Sequence, residues 1–333
     1  MRKLVIVVAA AIALPLHADL LVVANRGGST VTLIDPDTMQ RVAQIDAGPQ
    51  PHEVAVSHDN KLAYVSNYVN ATGTTLTVID LVNRTKLKTI SIAPLQGPHG
   101  IVQRGGRIWF TAEASRAVGR YDPGTDRVDW IGHTDQTGSH MIAVTSDGGT
   151  VYTSNVPSRS ASIIDVSGSE STARKVVPLG IVQSEGIALS PSERELWIGS
   201  AQTGGIAVVD LVTETKVATL SPGTFAYRLT FTHDGRYVLV PRFNERAMAV
   251  YDALARQQIR TVPVTGMPLG ILVSPDSKFA YVAMAEPDLV VKIDLTTWET
   301  IGSAAASPVP DGIALARDPF PPPAHRRRST RSG

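Results

Sequence analysis

The chain has 333 residues, with 31 Lys+Arg against 30 Asp+Glu, 18 aromatic residues and no cysteine. The lack of cysteine excludes a disulfide scaffold, a thiolate metal site and a covalently attached c-type haem. The near-balanced charge lacks the basic excess of a nucleic-acid binder, and the length fits either two domains or one all-β ring.

At the N-terminus, Arg2-Lys3 precede an apolar run at residues 4–14, and Leu16-His17-Ala18 offers a cleavage site. Residues 1–18 therefore read as a secretory signal, with the mature chain starting at Asp19. That predicts an exported protein, periplasmic in a Gram-negative source, with no transmembrane segment once the signal is removed. Residues 317–333 hold five basic residues and one acid and are rich in Pro and Arg. Such a composition cannot build a core and predicts a disordered tail. Residues 19–316 then carry 24 basic and 29 acidic residues, a mildly acidic body.

Between these ends one pattern recurs. A short apolar strand introduced by a turn appears seven times: Pro51-His52-Glu53-Val54-Ala55-Val56, Pro98-His99-Gly100-Ile101-Val102, Ser139-His140-Met141-Ile142-Ala143, Ser184-Glu185-Gly186-Ile187-Ala188, Ala226-Tyr227-Arg228-Leu229-Thr230, Pro268-Leu269-Gly270-Ile271-Leu272 and Pro310-Asp311-Gly312-Ile313-Ala314. An Asp closing a later β-rich run also appears seven times, at Asp35, Asp80, Asp122, Asp165, Asp210, Asp252 and Asp294, in steps of 45, 42, 43, 45, 42 and 42 residues. The first complete copy shows four β-type runs, at residues 54–57, 62–66, 76–79 and 86–92. A four-stranded repeat of about 43 residues is a propeller blade, whereas a helical repeat of that length needs a 3.6-residue periodicity that is missing here. The first Asp precedes the first strand anchor, and the last anchor has no Asp after it, so one blade is split between the termini. Residues 311–315 supply its inner strand, and residues 20–25, 30–34 and 41–45 the other three. The expected fold is an all-β, seven-bladed β-propeller of four-stranded blades filling residues 19–316, with one blade closed by N- and C-terminal strands.

The segments Tyr64-Val65-Ser66-Asn67, Val151-Tyr152-Thr153-Ser154-Asn155 and Tyr281-Val282-Ala283, with the Val78-Ile79-Asp80 closure, resemble the YVTN-repeat seven-bladed β-propellers of exported bacterial proteins. The resemblance covers the whole mature chain and implies the fold. It leaves activity open, because that group includes interaction modules, substrate binders and subunits related to redox enzymes. One blade, Pro98-His99-Gly100-Ile101 with Gly106-Arg107-Ile108-Trp109-Phe110-Thr111-Ala112-Glu113 and Val118-Gly119-Arg120-Tyr121-Asp122, is similar to blades of the streptogramin (virginiamycin B) lyases. That resemblance implies a magnesium-dependent opening of a lactone, with His99 and Glu113 as catalytic candidates. It departs from the family in having Ala112 before the acid, and Gln96 where the family's catalytic blade carries a metal-binding Glu.

The first strand of a blade runs beside the central axis, so the residue at its start lies at one mouth of the channel. The seven equivalent positions read His52, His99, His140, Glu185, Tyr227, Leu269 and Asp311. Imidazole and carboxylate are ligands for a divalent metal, which makes His52, His99, His140 and Glu185 the candidate ligands. Each His read by itself is equally a turn residue bonding nearby backbone, and His58, His133 and His233 are read that way. The loops joining second and third strands open on the same face and bring Tyr68, Glu113 and Arg242 to it. Arg228 and Arg242 offer paired hydrogen bonds to a carboxylate or phosphate, Tyr68, Tyr227 and Asp311 line the ligand-binding face, and Glu113 is placed as a general base. Gly100, Gly186, Gly270 and Gly312 follow the axial position, where crowding favours a residue without Cβ, and the closing Asp residues cap turns.

No G-x-S-x-G, P-loop or G-x-G-x-x-G motif is present, so neither a serine hydrolase nor a nucleotide cofactor is expected. The expected function is an exported binding module, a monomer, holding a small ligand, a divalent metal or a protein partner at the axial mouth. The alternative is a metal-dependent lyase or hydrolase acting on a lactone or ester. Because residues 310–316 close the ring, their deletion should abolish a single cooperative thermal transition; unchanged melting followed by circular dichroism would refute the closure.

Overall fold

The computed structural model describes residues 19–318 apart from 221, 222 and 224, so the expected signal and residues 319–333 of the expected tail lie outside the described residues. Among the described residues twenty-nine strands, numbered here in chain order, form seven sheets arranged as blades around one axis. The split blade is present as expected: β29 (Pro310–Ala316) pairs antiparallel with β1 (Leu20–Asn25), matching Leu21 with Leu315 and Val22 with Ala314, ahead of β2 (Thr30–Asp35) and β3 (Gln40–Asp46). No helix among the described residues is long and apolar enough to cross a membrane.

The burial of each strand follows from its place in the blade. β5 (Leu62–Asn67), a second strand, is sandwiched between neighbouring blades and is buried from Ala63 to Asn67, whereas the outer strand β7 (Thr85–Ser91) buries only Ile90. The core lies between blades: Val22 and Leu33 of the split blade pack with Val54 and Val65 of the next, and Tyr64 and Val78 of that blade pack with Phe110 and Ile108 of the third. Each such aliphatic or aromatic side chain stabilises the ring by roughly 1.5–3 kcal/mol. The closing Asp residues cap turns as read from sequence; Asp294 Oδ1 accepts from the Thr296 and Thr297 amides at 2.6 and 3.0 Å. Asp165 instead pairs with Arg174 at 2.7 Å, because its blade leaves the repeat there: β15 (Glu170–Thr172) reaches back and adds a parallel fifth strand to β11 (Arg127–His133) of the preceding blade. His133 accordingly ends a strand and pairs with Glu170, while His58 and His233 are exposed turn residues.

Two local devices set the channel mouth. The inner strands β4 (Pro51–Val56), β8 (Pro98–Arg104), β12 (Ser139–Val144) and β17 (Ser184–Leu189) each break register just after their first residue, between Pro51/Val54, Pro98/Ile101, Ser139/Ile142 and Ser184/Ile187. A bulge re-aims the side chain it carries and leaves its backbone groups unpaired. Buried hydroxyls on the second strands take up those groups: Ser66 accepts from the Glu53 amide at 3.0 Å and donates to the His99 carbonyl at 2.8 Å. Thr111 likewise bonds the Gly100 amide and the His140 carbonyl, and Ser154 the Met141 amide and the Glu185 carbonyl. Each hydroxyl thus fixes the axial residue of the following blade.

The second device is glycine. Around the ring the residues after the axial position read Glu53, Gly100, Met141, Gly186, Arg228, Gly270 and Gly312, so side chain and glycine alternate except at the last pair. A Cβ on Gly100 would lie 2.9 Å from the His140 carbonyl oxygen, on Gly186 2.7 Å from that of Tyr227, and on Gly312 2.7 Å from that of His52. At Gly270 the gap to the Asp311 carbonyl oxygen would be 1.8 Å, with backbone on both sides unable to yield. Gly270→Ala should therefore cost about 3 kcal/mol through overpacking, measured by urea unfolding; a cost below that of a surface Gly→Ala change would contradict the close approach.

Candidate functional site

The bulged starts of β4, β8 and β12 bring three imidazoles into one column. His52 and His99 have ring centroids 4.0 Å apart, and His99 and His140 3.6 Å. All three are buried, with His99 only 1% exposed. Tyr68, on the loop after β5, sets its ring edge-on to His52 and His99 at 5.4 and 4.9 Å. Its hydroxyl donates to Glu113 Oε2 at 2.9 Å.

The two ends of the column have opposite charge chemistry. His140 is pinned between carboxylates, Nδ1 at 3.0 Å from Glu113 Oε2 and Nε2 at 2.9 Å from Glu185 Oε1. Burial opposes its charge, but those two hydrogen bonds outweigh it and raise its pKa above the usual value. Burial likewise opposes charge on Glu185, and His140 overturns that and holds the carboxyl below its usual range. At the centre, burial first and then the neighbouring His140 and His52 depress His99 well below its usual pKa, so it is a neutral imidazole. Neither of its ring nitrogens has a hydrogen-bond partner among the described residues.

At the other end, Arg26 donates to His52 Nε2 at 3.3 Å and lies 3.6 Å from Asp311. A guanidinium only donates, so Nε2 accepts and Nδ1 carries the proton, facing Asp311 Oδ2 at 3.4 Å. Glu53 reaches across the channel to Arg228, whose Nη2 and Nε approach Oε1 at 2.6 and 3.2 Å. Burial alone would raise the Glu53 carboxyl; Arg228 and His52 instead draw it down to about 2. Arg228 is itself held over the Tyr227 ring, 4.1 Å from its centroid, and Tyr227 donates to Asp311 at 3.4 Å.

The structure thus gathers His52, His99, His140, Glu185, Tyr68, Glu113, Tyr227, Arg228 and Asp311 at one mouth. The four candidate metal ligands do not form one ligand set. His140 and Glu185 satisfy each other, whereas His52, Glu53 and His99 present ligand atoms all within 4.8 Å of one another. Arg242 stands apart, bonding Glu245, Tyr251 and Gln258 within its own blade. Leu269 packs with Tyr227 and Ala201, which leaves that side of the mouth apolar. Glu53 was not singled out from sequence. The signal available was the glycine series: Glu53 and Arg228 are two of the three positions in it that carry a side chain, and they pair.

The same architecture occurs in hydrazine synthase of Kuenenia stuttgartiensis, with a TM-score of 0.73 and 18% identity over 83% of this chain and 92% of that one. It occurs in a protein of unknown function from Desulfotomaculum acetoxidans (0.75, 11%, 90% and 99%) and in a candidate 6-phosphogluconolactonase from Bacteroides uniformis (0.72, 14%, 90% and 99%). At these identities the likeness shows the propeller fold alone. No family model matches the chain and no curated protein matches it, so neither the YVTN-repeat family nor the lyase resemblance gains from the comparisons.

The column has a definite pH signature in metal-free protein. His140 has a folded pKa raised above 6.5, so its stabilising contribution is complete below that value and is lost as pH rises through the raised one. Glu185 has a folded pKa below 4.5, so its contribution is present above 4.5 and is lost as pH falls. His140→Gln should cost about 3 kcal/mol at pH 6, where it removes a buried cation from two carboxylates, and less at pH 9. Urea unfolding with chelator present checks this; an equal cost at both pH values would refute the charged column.

Proposed function

We propose that the protein is an exported propeller whose axial mouth binds a divalent cation, with ring nitrogens of His52 and His99 and a carboxylate oxygen of Glu53 as ligands. One observation carries the reading: a buried, neutral imidazole with both nitrogens unpartnered, inside the group of three that clusters within 4.8 Å. An unpaired buried polar group is costly, and the neutral imidazole is the form that ligates.

The charge around the group supports a cation. Glu53, Glu113, Glu185 and Asp311 face Arg26, Arg228 and a charged His140. That leaves one negative charge in excess for a divalent ion to offset. Two imidazoles with one carboxylate suit zinc, nickel or copper better than magnesium or calcium, which prefer oxygen. In this reading His140 is an outer partner rather than a ligand, since its two nitrogens are held by Glu113 and Glu185, whereas His52, with Nε2 on Arg26, ligates through Nδ1 on releasing that proton. Three protein ligands leave a position for a small molecule or a partner's side chain. The lactone or ester reading has less support, because Glu113 Oε2, its proposed base, already accepts from both Tyr68 and His140. Export rests on Arg2-Lys3 and the apolar run that follows.

The test is elemental analysis of mature protein purified without chelators, beside folded His52→Ala/His99→Ala and Glu53→Gln variants. About one equivalent of metal is expected in the wild type and below about a tenth in the double variant. Added zinc should also raise the unfolding free energy, by about 2.7 kcal/mol at a hundredfold excess over Kd. No metal in any form after reloading with zinc, nickel, copper and manganese would remove the reading.

A further inference from the structure

The connection after β5 differs from its counterparts in length and in backbone. It spans residues 68–74, seven residues where the equivalent connections of the other six blades use four or five. Within it Val69, Asn70 and Ala71 have φ of +46°, +51° and +67°, a run of three non-glycine residues in the left-handed region. That region is disfavoured for any residue with a Cβ and most for a β-branched one such as Val69, and such strain collects at clamps and switches.

The strained turn is bonded within itself, the Thr72 amide to the Val69 carbonyl and the Gly73 amide to the Tyr68 carbonyl, and is tied to the rest of the ring by a few contacts. Gln50 bonds Asn70 in both directions, Nε2 to Oδ1 at 3.0 Å and Asn70 N to Oε1 at 2.6 Å. The Gly97 amide donates to the Gly73 carbonyl at 2.7 Å. Tyr68, at the head of the loop, lays its ring edge against His52 and His99 and clips its hydroxyl onto Glu113 of the next blade. Tyr68 is half-buried, whereas the two imidazoles beneath it are 3% and 1% exposed. Arg26, with a side chain 35% exposed, covers His52 from the opposite flank.

We infer that residues 68–73 are a lid over His52 and His99, with Tyr68 as its latch on Glu113, and that the lid controls entry to the column. Opening breaks the Tyr68–Glu113 and Gln50–Asn70 contacts and the turn's own backbone bonds, and lets Val69, Asn70 and Ala71 leave the left-handed region, so relief of strain offsets part of the lost bonding. What enters is the cation of the preceding proposal, and in that respect the inference rests on it; the lid itself is read by accessibility, without any metal.

The experiment uses the full chain freed of metal and treated with diethyl pyrocarbonate, which acylates unprotonated imidazole nitrogen, with modification of each histidine followed by peptide mass spectrometry. The exposed His58 and His233 serve as internal references. Tyr68→Phe keeps the ring and removes the latch, and Tyr68→Ala removes both. His52 and His99 should react about tenfold faster in Tyr68→Ala and severalfold faster in Tyr68→Phe, with His58 and His233 unchanged. Zinc association and dissociation rates should rise together, leaving Kd nearly constant, as a gate requires and a ligand does not. Unchanged rates at His52 and His99 in both variants overturn the lid, even if zinc binds the wild type. Accelerated modification that zinc fails to protect upholds the lid and removes the cation reading instead.

Discussion

Everything at the channel mouth depends on how closely seven inner strands can approach one axis. At Gly270 the neighbouring backbone leaves no space even for a methyl group. The ring meets this by alternating glycine with a side-chain-bearing residue, so that Glu53, Met141 and Arg228 each have a glycine on both sides. Seven is odd, so the alternation must fail once, and it fails between Gly270 and Gly312, where the gap to Asp311 is smallest. The bulges that start the inner strands then turn the axial residues into the mouth, and Ser66, Thr111 and Ser154 hold His99, His140 and Glu185 in place through their carbonyls.

Crowding brings charges together and removes them from water, which is unfavourable unless each finds a partner. Most do: His140 sits between Glu113 and Glu185, and Arg228 crosses the channel to Glu53. Of the seven exceptions among the described side chains, four fall together. Among the described side chains, His99 Nδ1 and Nε2, His52 Nδ1 and Asp311 Oδ1 are buried without a partner and lie in this one cluster. The other three, Gln103 Nε2, Arg242 Nε and Arg256 Nε, stand singly, so the mouth is where unsatisfied groups gather.

The fold itself says little about what the mouth does, since propellers of the same shape serve unrelated ends. The features that bear on it are at the mouth: a histidine column, a carboxylate shared with a cross-channel arginine, and a long strained loop laid over His52 and His99. The histidines and Glu185 occupy four consecutive blades and Arg228 reaches in from the sixth, while Leu269 packs on Tyr227 and Ala201 at the far side of the mouth. The mouth therefore has one polar wall and one apolar wall.

Periodicity made the ring legible without coordinates. The seven strand anchors and seven closing Asp residues, spaced at a blade's length, specify blade number, the split blade and which residues face the axis, because each of these follows from register along the chain. The candidate site was legible to the same extent: the axial histidines, Glu185, Tyr68, Glu113, Tyr227, Arg228 and Asp311 meet because blade symmetry brings equivalent positions together. Partner choice was not legible. That Glu53 rather than His140 or Glu185 joins His52 and His99, that Arg242 turns into its own blade, and that three residues of the Tyr68 loop stand in left-handed conformation were settled by contacts between residues up to 175 positions apart and by backbone angles. A repeat fixes where side chains begin, and only packing fixes where their polar atoms end.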